Sequence, residues 1–405
     1  DGALCVISEK ELEGQTNSYI KVKSSLQALK DMALLYRNNL DIKVVGITGS
    51  VGKTSTKETI SYVLNKKYKV LKTEGNFNNE IGLPLTVFRL RDDDEVAVLE
   101  MGISDFGEMD RLSKIAQPDI SVITNIGLCH LENLKTRDGI LKAKTEIFNN
   151  MKPDGIAILN GDDDKLITVD EVNGKKPERF GINYKDGVYA KDIENLGLSG
   201  TKFVISGLNC VDGCKDFEVT VPVPGHHMIY NALAAACVGA ALELTSAQIA
   251  DGIADLKTIS GRNNIIKTSK YTLIDDCYNA NPVSMKASVD VLDMAIGRKV
   301  CILGNMYELG ENEKNLHYDV GQYIGTKNID VLITIGDLAR HIAMGTDDYM
   351  ETHFGSYDCE IHSFDDMEEF NMAYSSILKD NDNILIKASH AMKFADIVEL
   401  LSKDN

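Results

Sequence analysis

At 405 residues, with 43% hydrophobic and 26% charged side chains, the chain has ordinary globular composition and enough length for two or three domains of roughly 150 residues. Its 61 acidic and 43 basic residues leave a formal charge of -18 with no basic run, which argues against nucleic-acid binding, because neutralising phosphates needs clustered Lys and Arg. The longest apolar run, residues 232–242, is too short to span a bilayer, no secretory signal is visible, and eight scattered cysteines fit reduced thiols in the cytoplasm.

Residues 3–7 are expected to form one strand. Residues 24–38 are expected to form a helix with an apolar stripe at Leu26, Leu29, Met32 and Leu35. Together, residues 1–40 read as the tail of a domain. From Lys43 onward, short apolar strands at 44–47, 95–101, 120–124 and 155–159 alternate with helical stretches. That alternation predicts a parallel, doubly wound sheet. Residues 180–223 alternate Val, Ile and Phe with Gly and Asp-Gly turns, predicting a hairpin excursion and a small antiparallel sheet. Cys210 and Cys214 flank one of these turns. With no second pair at zinc spacing, they read as turn neighbours rather than half a metal site. An Ala-rich helix follows at 231–242, then a boundary near Ile259-Ser260-Gly261. Strands expected at 272–274, 299–303, 331–335 and 384–386 give a second α/β domain. The division is 1–40, 41–259 and 260–405.

Chemistry enters at Ile47-Thr48-Gly49-Ser50-Val51-Gly52-Lys53-Thr54, which follows a strand and opens a helix. This is the context of a P-loop, in which backbone N–H groups and a helix N-terminus cradle phosphate. Residues 49–55 (Gly49, Ser50, Val51, Gly52, Lys53, Thr54 and Ser55) are expected to bind ATP. Lys53 would reach the β- and γ-phosphates, and the Thr54 hydroxyl would bind Mg²⁺. The usual spacing has Gly where Ile47 stands, so the loop is a variant. A Gly-rich turn with a surface lysine is the plain alternative, but strand, loop, Gly-Lys-Thr and helix all agree.

Glu100 ends the apolar strand at 95–101, where open α/β sheets place their ligands, and it suits Mg²⁺. The lesser alternative, taken by itself, is a charged strand end facing water. His130 closes the next strand end. Alone it reads as a satisfied structural histidine, and beside Glu100 and the phosphate loop as a second metal ligand. Lys144, taken by itself, reads as an exposed helical lysine.

The chain resembles the Mur ligases of bacterial cell-wall synthesis. The likeness is carried by Lys72-Thr73-Glu74-Gly75-Asn76-Phe77-Asn78-Asn79-Glu80-Ile81-Gly82-Leu83-Pro84 and by Asp275-Asp276-Cys277-Tyr278-Asn279-Ala280-Asn281-Pro282. Pro224-Gly225-His226-His227, Asn231-Ala232 and Gly261-Arg262 also match. The resemblance implies a P-loop-containing doubly wound central domain, a C-terminal Rossmann-like α/β domain and a remnant of an N-terminal α/β domain that grips a UDP-sugar. It implies an amide ligase of peptidoglycan precursor synthesis. ATP would phosphorylate the terminal carboxylate of UDP-N-acetylmuramoyl-tripeptide, and the amine of D-alanyl-D-alanine would attack the acyl phosphate. Two Mg²⁺ ions would offset the crowded negative charge. Lys53, Glu100, His130 and Lys144 are then catalytic. Thr54, Glu100, His130 and a carbamylated Lys144 would be metal ligands. Asn231, Arg262, Asp276 and Asn279 would bind ATP, and Thr73, Asn78, Asn79, Asn281, Asn305 and Ser389 would serve the substrates. The sequence does not fix an oligomeric state, and a monomer is the default expectation, with neither membrane nor nucleic acid as partner.

Three departures stand against the family pattern. Gly304-Asn305-Met306 occupies the place of Gly-Asp-Met, and Lys387-Ala388-Ser389-His390 that of Lys-Gly-Ser-Arg. Both lie where the dipeptide is expected, and His390 cannot act as a permanent bidentate carboxylate clamp. Most of the family's first domain would precede Asp1, so the chain is expected to be a truncated form. Two other functions remain open: a related ligase of the folylpolyglutamate or cyanophycin synthetase kind, and a catalytically weak ATP-binding relative.

Overall fold

The computed structural model describes residues 4–12, 18–354 and 359–403, without the side chains of Leu131 and Phe354. Strands β1 (Val6–Ser8) and β2 (Tyr19–Lys21) pair in parallel. Ala3, expected in the first strand, lies outside the described residues. The helix Ser25–Asn38 follows, capped by the Ser24 hydroxyl accepting from Gln27 N–H at 3.2 Å. Its expected apolar stripe is not its buried face: Leu35 is 65% exposed, whereas Lys30, Ala33 and Arg37 are buried. The burial of Arg37 is offset by hydrogen bonds. Its guanidinium donates to the carbonyls of Ala116, Leu40 and Ile42 at 3.3, 3.1 and 3.3 Å, and burial holds its pKa below the usual value. The Tyr36 hydroxyl donates to Leu90 O at 2.7 Å. This helix therefore packs on the central domain.

The central sheet contains β3 (Lys43–Thr48), β4 (Val70–Lys72), β5 (Val96–Glu100), β6 (Ile120–Ile123), β7 (Ile156–Asn160), β8 (Glu178–Gly181), β9 (Val188–Asn195), β10 (Thr201–Ser206) and β11 (Asp216–Val221). Their spatial order is β11-β10-β9-β8-β7-β6-β3-β5-β4. From β4 to β9 every pairing is parallel, and β10 and β11 join antiparallel. The expected hairpin excursion is thus not a separate sheet. Phe180 and Gly181 of β8 pair with Val188 and Tyr189 of β9, so the excursion continues the central sheet. Both faces of the sheet's middle are covered, which is why β3, β5, β6 and β7 are largely apolar. Val45, Ile47, Val96 and Val98 pack in a core with the helices Lys53–Leu64 and His227–Ala241, while Val44, Ala97 and Leu99 join the opposite core.

The second sheet has the order β12 (Asn264–Lys267), β13 (Thr272–Asp275), β17 (Asn383–Lys387), β14 (Lys299–Gly304), β15 (Val331–Ile335) and β16 (Glu360–Phe364). Only the β12–β13 pairing is antiparallel. It carries its own two core clusters. Its first helix, Pro282–Asp293, starts with proline and an Asn281/Ser284 capping box. Among the described residues no helix is long and apolar enough to cross a membrane. All eight cysteines are free, and Cys210 and Cys214 flank a tight turn closed by Gly213 N–H donating to Cys210 O at 2.9 Å.

Candidate active site

The carboxyl ends of β3, β5, β6 and β7 and the start of the Pro282–Asp293 helix face a cleft of about 550 Å³ between the two α/β domains. The phosphate loop forms its floor. Gly49 and Gly52 have φ of 154° and 83°, which an L side chain rarely adopts, and a Cβ on Gly49 would overlap the Thr124 hydroxyl. The loop is held from β6. Ser50 N–H donates to Asn125 O and Val51 N–H to Asn125 Oδ1, both at 3.0 Å, and Thr124 Oγ1 donates to Val51 O at 2.7 Å. Gly52 caps the helix Lys53–Leu64 without a side-chain bond, leaving its first N–H groups for a ligand. Lys53 Nζ donates to Gly49 O at 2.9 Å, across the mouth of the loop.

Glu100 is 2% exposed, so it is not a strand end facing water. Its Oε2 accepts from the Thr54 hydroxyl at 2.9 Å and its Oε1 from Asn78 Nδ2 at 2.9 Å. Its backbone N–H donates to Thr73 Oγ1 at 3.0 Å. Thr73, Asn78, Glu100 and Thr54 therefore form one bonded group. Lys57, buried in the loop helix, fastens it from behind by donating to Thr73 O at 2.7 Å. Asn79 is committed to a turn, accepting from Ile81 and Gly82 N–H.

Lys144 corrects an expectation: it is 1% exposed, on the inner face of the helix Arg137–Thr145 with Ile140 and Ala143. No carboxylate pairs with it among the described residues. Burial first, and then the charge of Lys53, push its pKa down to about 7. His130 sits at φ 51°, with its pKa held below the usual histidine value by burial and by the charges of Lys144 and Lys53. Its Nδ1 lies 4.0 Å from Glu308 Oε2 of the C-terminal domain. Lys53, His130 and Lys144 thus share one electrostatic neighbourhood, although His130 and Lys144 do not line the cleft. Among the described residues no three His, Cys, Asp or Glu side chains gather as a ready-made metal cluster.

The opposite wall contributes Arg262, Asp276, Asn279 and Asn281. The Arg262 guanidinium lies 4.1 Å from the Tyr278 ring centroid, and the His390 ring is 5.6 Å from the same ring. Lys387 is buried, and its ammonium donates to Asp276 Oδ2 at 2.6 Å and Asn279 O at 2.9 Å. Asn281 lines the cleft while capping its helix. Asn231 lines the cleft beside the phosphate loop, its Oδ1 accepting from Thr56 Oγ1 at 2.8 Å. Asn305 and Ser389 lie outside the cleft and are tied together: Ser389 N–H donates to Asn305 O at 3.0 Å. Asn305 Nδ2 donates to Asp337 Oδ1 at 2.9 Å, so the amide in place of the family's carboxylate pairs with an acidic neighbour.

Sequence reasoning passed over Lys57, Asn125, Tyr278 and Lys387 as site residues. Tyr278 and Lys387 stand inside quoted motifs, so adjacency was their available signal. Lys57 and Asn125 act through tertiary bonds that no spacing reveals.

Comparison with known proteins places residues 47–239 in the Mur ligase middle domain and residues 261–390 in the Mur ligase glutamate ligase domain. The UDP-N-acetylmuramoyl-tripeptide–D-alanyl-D-alanine ligase of Bacillus subtilis is 37% identical over 388 residues, covering 95% of this chain and 81% of the relative. A crystal structure of MurF from Acinetobacter baumannii matches with a TM-score of 0.88 at 29% identity, over 98% of this chain and 84% of that one. The MurF ligase of Thermotoga maritima in complex with ADP matches with a TM-score of 0.85 at 30% identity, over 100% of this chain and 89% of that one.

Proposed function

The chain belongs to the Mur ligase family, and we propose that it joins D-alanyl-D-alanine to UDP-N-acetylmuramoyl-tripeptide at the expense of ATP, in cytoplasmic peptidoglycan precursor synthesis. The observation that carries this is the cleft itself. A phosphate loop on one domain faces Arg262, Asp276 and Asn279 on the other, so a nucleotide is gripped from both sides.

In this proposal the loop N–H groups and Lys53 hold the β- and γ-phosphates, with Arg262 pairing the γ-phosphate from across the cleft. The tripeptide carboxylate attacks the γ-phosphorus, ADP leaves, and a poor electrophile becomes an acyl phosphate. The dipeptide amine then adds to the carbonyl, and the tetrahedral intermediate expels phosphate. Tyr278 keeps the Arg262 guanidinium in place, and Lys387 holds the Asp276 and Asn279 loop.

The residues present suit magnesium. Glu100 is a buried carboxylate held only by neutral donors, with the Thr54 hydroxyl beside it: a hard oxygen pair with uncompensated charge. Lys144 suits carbamylation, because an amine with a pKa of about 7 is substantially neutral at neutral pH and free to add to CO₂, losing a proton. The resulting carboxylate-like group would stand near His130. Magnesium would offset the negative charge gathered as the phosphoryl group passes. Residues 1–40 as the end of a nucleotide-sugar domain, and a monomeric state, belong to the same proposal.

Phosphate release from ATP tests it, measured with UDP-N-acetylmuramoyl-tripeptide and with or without D-alanyl-D-alanine. Release that requires both is expected. Release driven instead by a folate or another amino acid would overturn it.

A further inference from the structure

Outside the cleft, the C-terminal domain buries one imidazole with both nitrogens engaged. His317 lies in the helix Glu313–Gly325 and is fully buried. Its Nε2 is 2.8 Å from Met306 N, and its Nδ1 is 2.7 Å from Glu313 O. A backbone N–H can only donate and a carbonyl can only accept. The ring must therefore be neutral, with its proton on Nδ1 and its lone pair on Nε2. Burial, the largest influence, holds its pKa below the usual histidine value. Glu313 and Asp337 oppose that shift, and His341 adds to it.

What this ring holds is the backbone at the end of β14. Met306 lies between Asn305 and Tyr307, and both neighbours are tied to the loop after β17. Asn305 O accepts from Ser389 N–H at 3.0 Å, and Tyr307 N–H donates to Ser389 Oγ at 2.9 Å. Asn305 Oδ1 also accepts from Ala339 N–H at 2.8 Å, bringing in the segment after β15. Three strand ends thus meet at Asn305–Tyr307, and His317 satisfies the middle amide from below.

We propose that His317 is a positioning residue for the amine acceptor: its neutral ring, acting through Met306 N–H, sets Asn305 and Ser389 where the dipeptide binds. This rests on the ligase function proposed above and on the expectation, from the family resemblance, that the dipeptide binds at Asn305 and Ser389. Its two hydrogen-bond partners, Met306 and Glu313, are not among the expected ATP-binding residues, so its loss should separate the two substrates kinetically.

The test begins with wild-type phosphate release. Failure of D-alanyl-D-alanine to stimulate it would overturn the proposed function itself. Where stimulation is present, His317→Leu is expected to raise KM for the dipeptide about tenfold and leave KM for ATP nearly unchanged, since it strands a buried donor beside the acceptor site only. In His317→Gln, the carboxamide oxygen reaches the Nε2 position and accepts from Met306, and most of the dipeptide KM is expected to return. Equal effects on both substrates, or a glutamine variant no better than leucine, would overturn the inference. Independently of any variant, ¹⁵N-histidine NMR of the wild type should show one ring in the Nδ1–H form that stays neutral through the ordinary titration range, about 6.5. A ring protonated on Nε2 would overturn it as well.

Discussion

Replacing Lys144 with methionine should make the protein more stable and abolish its catalysis. The side chain is 1% exposed and no carboxylate pairs with it among the described residues, so the fold is obliged to keep the amine largely neutral. Its pKa falls from 10.5 to about 7. The folded value lies below the unfolded one, so between these limits the unfolded chain holds more proton and stability rises with pH. At 1.36 kcal/mol per unit, the site costs about 4 kcal/mol near pH 7.5 and about 1 kcal/mol near pH 9.5. Methionine has nearly the same length and carries no charge, so it removes the cost at both. Urea titrations of wild type and Lys144→Met in bicarbonate-free buffer should therefore show the variant ahead by about 2 to 4 kcal/mol at the lower pH, with the lead shrinking at the higher one. Phosphate release by the variant should fall to background. A lead that is absent, or equal at both pH values, would refute the claim that burial keeps this amine neutral.

Lys144→Ala should also lose turnover, and formate or a similar small carboxylate should restore part of it if a carbamate forms there; full activity in the plain variant would return Lys144 to a packing role. Lys53→Ala should lower turnover by roughly a hundredfold or more without lowering the urea midpoint, because among the described residues its ammonium donates only to Gly49 O and its charge opposes that of buried Lys144. Asn305→Asp would set a carboxylate against Asp337, 2.9 Å away in the present pair. Like charge raises the pKa of one of the two, so the variant should be destabilised by about 1–3 kcal/mol at neutral pH and recover on acidification, as read by denaturation at two pH values. Tyr278→Leu should raise KM for ATP several-fold by freeing Arg262, while Tyr278→Phe, which keeps the ring face, should stay near wild type.

The parallel strands were legible because both faces of each sheet are covered, leaving uninterrupted apolar runs such as residues 96–99 and 331–333. The phosphate loop was legible because all its parts are contiguous. The stripe on the Ser25–Asn38 helix misled because Arg37 is buried by virtue of three carbonyls brought from elsewhere, which composition cannot register. Lys144 was misread in isolation although Ile140 and Ala143 mark the inner face of its helix. A charged residue in register with that face was itself the signal. The bond from Asn305 to Asp337 was invisible, since 32 positions separate the partners.

Each half of the cleft belongs to a domain with its own sheet and its own core clusters, joined by contacts such as Leu198 of the central domain resting on the C-terminal core. Such halves can melt separately. A nucleotide bound to both contributes its affinity to their association, and a hundredfold excess over its dissociation constant is worth about 2.7 kcal/mol. Heating the bare protein would then trace two steps that merge into one as ATP is added, and the linker near residue 260, open to proteases while the halves part, would close to them. The substrate thereby serves as the mortar of the fold that consumes it.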